Sequence, residues 1–269
     1  MKSWRRYFRC RLLPMLLGVT ILSGVTSGQI VMAAELDEGQ TSGELQSTVL
    51  ITGANRGIGL ALARHFHQQG FAVIPTARKP DEALELKKIG VEILQLDITD
   101  PASVESLKSQ LKNRSLDILV NNAGIGGHST SKLEDLDIER LKHTFNVNSL
   151  GALRVTQALI PNMKMGSRKI VANMSSRMGS IQQNAGGAIG YRASKSALNS
   201  INKSLSNEFA EQGFIFVVLH PGWVRTDMTN DRATYSTQES ARALVKVITG
   251  LSKTDNGQFY DLHGQSIAW

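Results

Sequence analysis

One cysteine, Cys10, is all that the 269-residue chain contains, so neither a disulfide nor a cysteine-built metal site can form within it. Its six histidines are scattered, and none is paired with an acid at metal-ligand spacing, so no metal is expected. There is no repeat of fixed period and no long low-complexity run. A basic face of the kind that grips nucleic acid is missing as well. The formal net charge is +7, but Lys2, Arg5, Arg6, Arg9 and Arg11 lie in residues 1–33 with no acid among them, which leaves +2 for the rest of the chain. A nucleic-acid partner is therefore not expected. Apolar residues make up 41% and charged residues 20%, enough to build an ordinary soluble core.

The unevenly placed charge marks out a leader. A basic stretch from Lys2 to Arg11 is followed by an apolar run from Leu12 to Val25, then by small residues up to Ala33 and Ala34. This is the three-part pattern of a secretory signal peptide over residues 1–33, with a cut after Ala33 or Ala34. The run is short for a permanent span and is broken by Pro14, Gly18 and Gly24; an uncleaved amino-terminal anchor is the alternative. Trp4-Arg-Arg-Tyr-Phe8 also resembles a twin-arginine signal without the usual Ser or Thr before the pair. The chain is thus expected to be exported if the leader is used, and cytoplasmic or membrane-anchored otherwise. Residues 34–46 are polar and acidic and read as a flexible linker, which leaves 47–269 as the main folded domain.

From Thr48 onward, short apolar runs alternate with longer helical ones. Strands are expected at 48–51, 71–74, 91–96, 116–120, 169–172, 214–219 and 258–260. Helices are expected at 59–69, 80–89, from Pro101 with Asp100 as its cap, 138–165, 191–212 and 237–251. Strict alternation implies right-handed crossovers and a parallel sheet covered on both faces. Ligands of such sheets bind beyond the carboxyl ends of the strands.

A glycine-rich turn, Thr52-Gly-Ala-Asn-Arg-Gly-Ile-Gly59, stands between the first strand and the first helix. Gly53 permits a tight turn, while Gly57 and Gly59 let backbone approach a phosphate at the helix amino end, with Asn55, Arg56 and Ile58 in the same turn. The spacing is Gly-x-x-x-Gly-x-Gly, and no Gly-Lys-Ser/Thr follows, which excludes a Walker-type triphosphate loop. The second strand ends in Ala77-Arg78-Lys79, with no carboxylate before Asp81 to hold ribose hydroxyls. Arg78 and Arg56 could instead bind a 2′-phosphate, which favours NADP(H) over NAD. Asp97 and Ile98 end the third strand, where a carboxylate could hold the adenine amine; Asn121, Ala123 and Gly124 end the fourth, where a small-residue turn could pack the adenine ribose. Tyr191 and Lys195 stand four apart, so a helix would place them on one face. A phenol ordinarily titrates near 10; a neighbouring ammonium would favour the phenolate and bring a tyrosine acid closer to neutral pH.

These residues resemble the short-chain dehydrogenase/reductase family over about 48–269. The likeness rests on Thr52–Gly59, Asn121–Gly124, Asn148, Ser176, Tyr191 with Lys195, and Pro221-Gly222. A finer likeness, to carbonyl reductases of the Sniffer and C-factor type, lies in 173–180, 191–198, 219–228 and Trp269. The resemblance implies a doubly wound, Rossmann-like α/β sandwich with a seven-stranded parallel sheet in the order 3-2-1-4-5-6-7. It also implies NADP(H) as cofactor and carbonyl/alcohol interconversion. Within it, Tyr191 would be the proton donor, Lys195 would also bond the nicotinamide ribose, and Ser176, in preference to Ser175, would hold the substrate oxygen. Asn148 would hold a water feeding Lys195, with Asn146 structural. Pro221, Gly222, Val224 and Thr226 would meet the nicotinamide end, and Met228 to Ser236 would form a short lid.

Residues 182–190 are a glycine-rich insertion between Ser176 and Tyr191, expected as a mobile wall of the pocket. Along the long helix, Ala193, Ala197, Ile201, Leu205 and Phe209 form one stripe, and the opposite face is Ser, Asn and Lys; a polar outer face argues for a monomer or weak homodimer. The leading expectation is an NADPH-dependent reductase of aldehydes or ketones. The alternatives are a nucleotide-binding signalling protein with little turnover and an NADP-dependent alcohol dehydrogenase running oxidatively.

Overall fold

The computed structural model describes residues 46–126, 133–229 and 232–269. The expected signal segment, Cys10 and the linker up to residue 45 lie outside the described residues, as do Asn230 and Asp231 of the expected lid. Seven strands form one sheet: β1 (Thr48–Ile51), β2 (Ala72–Ala77), β3 (Leu94–Gln95), β4 (Ile118–Asn121), β5 (Ile170–Met174), β6 (Ile215–His220) and β7 (Phe259–Asp261). Their order is β3-β2-β1-β4-β5-β6-β7 and every pairing is parallel, as expected.

The strands are apolar throughout because both sheet faces are covered. Alternate residues divide between two cores. Val49, Ile51, Ile118, Val120, Val217 and Leu219 face a core shared with helix α1 (Gly57–Gln68) and helix α7 (Thr237–Gly250). Leu50, Leu119, Val171 and Phe216 face the other core, with α3 (Pro101–Gln110) and α5 (Ala152–Met165). In α1, Leu62 and Phe66 are fully buried, and Phe66 meets Phe71 edge-on at 5.1 Å, an arrangement worth about 0.5–1.5 kcal/mol beyond its burial. Asp100 caps α3 as expected, accepting from the Ala102 N–H at 2.9 Å, and Ser236 with Glu239 forms a capping box on α7.

Two expected elements are cut short. The helix expected over 80–89 is a single 3-10 turn, Pro80–Glu82, followed by α2 (Leu84–Lys87). Ala83 breaks it with ψ 57, a torsion that lets Ala83 and Leu86 both reach the core while Leu84 stays exposed. The strand expected over 91–96 shrinks to β3, an edge strand whose one partner is β2.

The long helix α6 (Ile189–Glu208) departs from expectation in another way. Its most buried residues are Ser194, Lys195, Leu198, Asn199, Asn202 and Ser206, a mostly polar face turned inward. The apolar stripe from Ala193 to Phe209 is only half-buried, while Ser200, Lys203 and Ser204 are exposed. Polar groups on the sheet explain the inward face. Asn173 Nδ2 donates to Asn202 Oδ1 at 2.9 Å, and Ser175 Oγ to Asn199 Oδ1 at 2.7 Å, so these buried side chains are satisfied. The inward polar face therefore carries no argument about assembly. Among the described residues, no helix is long and apolar enough to cross a membrane.

Candidate active site

Parallel strands deliver their carboxyl ends to one edge of the sheet, and the predicted motifs all begin there. The glycine turn is the tightest part. Gly53 has φ +64, and a Cβ on it would stand 3.0 Å from Ala123 Cα. A Cβ on Gly59 would overlap the Gly53 carbonyl oxygen and lie 2.5 Å from Asn122 Nδ2. Thr52 and Asn122 hold this contact. The Thr52 hydroxyl accepts from the N–H groups of Asn122 and Ala123, both at 3.0 Å. Asn122 Nδ2 donates back to the carbonyls of Thr52 and Gly53 at 3.0 and 3.1 Å. The amino end of α1 carries no side-chain cap and no acid in its first turn, which leaves its dipole open to an anion. Asn55 and Arg56 are exposed above it and Ile58 is half-buried. Arg56 pairs with Asp227 at 2.6 Å, a mostly exposed contact, worth at most about 1 kcal/mol. Arg78 is exposed at the end of β2, and no ion pair is formed by it among the described residues.

The third- and fourth-strand residues separate into two groups. Asp97 Oδ1 accepts from Thr99 N at 2.9 Å and from Thr99 Oγ1 at 2.6 Å; the Thr99 hydroxyl holds the carboxyl below its usual range. Ile98, in contrast, sends its side chain into the core, against Gly151. Asn121 also turns away from the glycine turn. It is buried, and its amide donates to Thr156 Oγ1 at 2.9 Å and Asn173 Oδ1 at 2.8 Å. What Ile98 and Asn121 offer the cleft is backbone. The side chain that reaches the glycine turn is the next one along, Asn122.

Ser176, Tyr191, Lys195 and Asn148 come together. Ser176 follows β5 and is followed by a 3-10 turn, Arg177–Gly179. That turn packs on α6 so closely that a Cβ on Gly179 would stand 3.0 Å from Lys195 Cβ. Ser175 is committed to Asn199. Ser176 is instead near enough to the Tyr191 phenol to favour its charged form, and it accepts from the Met178 N–H at 3.2 Å. Lys195 Nζ lies 5.9 Å from the Tyr191 ring centre and donates to the Met174 carbonyl at 2.8 Å.

The electrostatics differ from the sequence expectation. Burial pushes the Tyr191 phenol above its ordinary 10, and the Ser176 hydroxyl pulls it only partly back. Lys195, buried without a counter-charge, is itself pushed down to about 8. With its ammonium turned to a carbonyl at this distance, desolvation outweighs its pull on the phenol.

Asn148 lies in a stretch that sequence patterning did not reveal: a six-residue π-helix, Asn146–Gly151, between α4 (Ile138–Phe145) and α5. Its amide clasps the backbone after β4, accepting from Ile125 N at 2.9 Å and donating to Ile125 O at 3.0 Å. It also donates to Ser194 Oγ at 3.1 Å. A Cβ on Gly124 would lie 3.2 Å from Asn148 Oδ1 and 3.6 Å from Lys195 Nζ, so the missing side chain leaves room between the two. Asn146 accepts from Arg154 at 3.1 Å.

The segment after β6 closes this edge. Pro221 O accepts from Ser240 at 2.7 Å, and Gly222 has φ +86 against the Tyr235 ring. Val224 is buried. The Thr226 hydroxyl accepts from Met228 N at 3.3 Å. Met228 packs over Gly126, whose Cβ would stand 2.9 Å from Met228 Cγ. Thr52, Asn122, Ile125 and Ser194 are the residues to which the sequence reading gave no role; the first two lie inside the quoted motifs, which was the available signal. Among the described residues, no group of three or more His, Cys, Asp or Glu could hold a metal.

The chain is similar to known oxidoreductases in both sequence and fold. A model of the short chain dehydrogenase family matches residues 47–236. The 1-hydroxy-2-glutathionyl-2-methyl-3-butene dehydrogenase of Rhodococcus sp. (strain AD45) is 33% identical over 230 residues, 83% of this chain and all of the relative. The C-signal protein of Myxococcus xanthus is 43% identical over 155 residues, 57% of this chain and 93% of the relative. Among solved structures, the carbonyl reductase Sniffer of D. melanogaster has a TM-score of 0.80 at 33% identity, covering 83% of this chain and 100% of its own. A carbonyl reductase from Pseudomonas aeruginosa PAO1 in complex with NADP has a TM-score of 0.74 at 36% identity, with the same coverage.

Proposed function

The chain belongs to the short chain dehydrogenase family, and from that premise we propose that it is an NADPH-dependent reductase of small aldehydes or ketones. The observation that carries this reading is the Tyr191 phenol placed where the Ser176 hydroxyl acts on it, with Lys195 one turn along, beside the glycine turn.

The residues fit the cofactor. The space kept clear at Gly59 and Gly53 and the uncapped end of α1 suit a pyrophosphate. Arg56 and Arg78 are exposed where a 2′-phosphate would need them. The NADP complex of the P. aeruginosa relative supports the same choice. Asp97 would hold the adenine amine; Ala123 and Gly124 would border the adenosine, and Val224 and Thr226 the carboxamide end. Once bound, NADPH would supply the hydride.

The chain's own groups would do the rest. A phenol held above 10 keeps its proton at neutral pH, so Tyr191 is charged with a proton to donate. The Ser176 hydroxyl would bond the same substrate oxygen as its negative charge grows. Lys195 would steady the phenolate left behind, and a water between Asn148 Oδ1 and Lys195 Nζ would return the proton; Gly124 leaves space for it.

The test is a panel of aldehydes and ketones with NADPH or NADH, read at the dihydronicotinamide absorbance. Consumption of NADPH well above NADH is the expected result, and no consumption with any carbonyl would overturn the proposal. Likeness to the C-signal protein favours a second reading, a regulatory role with little turnover; a biological effect that survives Tyr191→Phe would select it. Export through residues 1–33 is part of the proposal, tested by sequencing the mature amino terminus.

A further inference from the structure

The chain between Ser176 and Tyr191 makes an excursion from one helix back to the same helix. It leaves at Gly179, whose carbonyl accepts from Ser196 Oγ at 2.8 Å and Asn199 Nδ2 at 3.2 Å. It returns at Ile189, the first residue of α6. Residues 181–186 are exposed. The return is made by three consecutive left-handed residues: Gly186 at φ +84, Gly187 at +68 and Ala188 at +45. Glycine adopts this conformation freely, but alanine does so at a cost. Neither packing nor side-chain bulk holds Gly186, which has nothing within 4 Å of where a Cβ would be.

Arg192 holds the segment. Its Nε donates to the carbonyls of both Gly186 and Gly187, at 2.9 and 3.1 Å, and its backbone N–H donates to Ala188 O at 3.0 Å. No carboxylate among the described residues pairs with its guanidinium, so these carbonyls are its charge-assisted partners. At the other end, Gln183 N donates to Ser180 Oγ at 3.1 Å and Gln182 N to Trp269 O at 3.0 Å. The segment is therefore fastened at both ends, and it presents the exposed side chain of Ile181, with Ile189 exposed at the start of α6.

We propose that Arg192 is a positioning residue: it fixes residues 180–188 as a preset wall, with Ile181 exposed on it, for the carbonyl's substituents and so governs which substrates bind. The inference rests on the reductase reading above. Arg192 touches neither Tyr191 Oη nor Lys195 Nζ, so its loss acts through the wall and not through proton transfer.

The experiment compares wild type, Arg192→Ala and Arg192→Lys by hydrogen exchange and by steady-state kinetics with a small and a bulky carbonyl. In Arg192→Ala, exchange over residues 182–189 should quicken at least tenfold. KM for the bulky carbonyl should rise at least fivefold and for the small one less, with kcat and NADPH affinity within twofold of wild type. Arg192→Lys, which still donates to carbonyls, should recover at least half of the KM change. Unchanged exchange in Arg192→Ala overturns the clamp, whatever the activity. Faster exchange with equal KM for both carbonyls, or a loss shared with NADPH affinity, overturns the positioning role. No NADPH consumption by the wild-type chain is a different failure: it removes the reductase reading while the exchange result still judges the clamp.

Discussion

Raising the pH through 8 should switch the enzyme off, and Lys195 should be the cause. The residue is 5% exposed, and its ammonium has a backbone carbonyl and no carboxylate as its partner. Burial lowers its pKa from 10.5 to about 8. With that value, about nine-tenths of the molecules carry the charge at pH 7 and about one-tenth at pH 9, so carbonyl reduction should fall about ninefold over that interval. Tyr191 is pushed the other way, so its phenol remains protonated across the same window and cannot produce the fall. The assay is kcat/KM for carbonyl reduction from pH 6 to 10. In Lys195→Arg the residual activity should show no break near 8, because a guanidinium stays charged throughout.

The linkage has a definite sign. Between pH 8 and 10.5 the unfolded chain holds the Lys195 proton and the folded chain does not, so stability rises with pH there. A difference of about 2.5 in pKa corresponds to about 3 kcal/mol. Measured against Lys195→Met, wild type should gain most of that between pH 8 and 10. A break near 10 in wild type, or an identical break near 8 in Lys195→Arg, would refute the reasoning.

Other consequences follow from single positions. Gly59→Ala should abolish nucleotide binding and lower stability by about 1–3 kcal/mol or more, because the new methyl meets the Gly53 carbonyl and Asn122. Gly57→Ala, with only Thr226 Cγ2 at 3.6 Å, should cost about 1–2 kcal/mol from its positive φ alone; thermal melts and NADPH titration separate the two. His220, at the end of β6, is lowered to about 4 chiefly by burial, with Arg177 adding to it and Asp261 opposing. Its neutral form is the folded one, so stability should fall as pH drops from about 6.5 towards 4, by about 1–3 kcal/mol. In His220→Gln that acid limb should shrink in pH-dependent urea melts, and an unchanged limb would count against it.

The alternation of strands and helices and the glycine turn were legible because they depend on local signals: apolar runs, capping residues and glycine spacing; the sheet order came from the family resemblance. Side-chain direction was less so. Asn121 and Asn122 read alike in sequence, but strand alternation sends the first towards Thr156 and the second to the glycine turn. The buried face of α6 was hidden because Ser and Asn go inward only where the sheet supplies Asn173 and Ser175 to meet them. The π-helix at Asn146–Gly151 has no periodic signature. The state of the phenol was misjudged for a related reason. Helical spacing brought Lys195 near Tyr191, but the depth of burial and the turn of the ammonium towards Met174 are tertiary facts.

Tyr191→Phe tests the account most directly, since it removes one oxygen and leaves the ring in place. The variant should bind NADPH as tightly as wild type while carbonyl-dependent NADPH oxidation falls by about 10²–10⁴-fold, the usual contribution of a positioned acid. Retention of wild-type turnover by that variant would contradict the central claim.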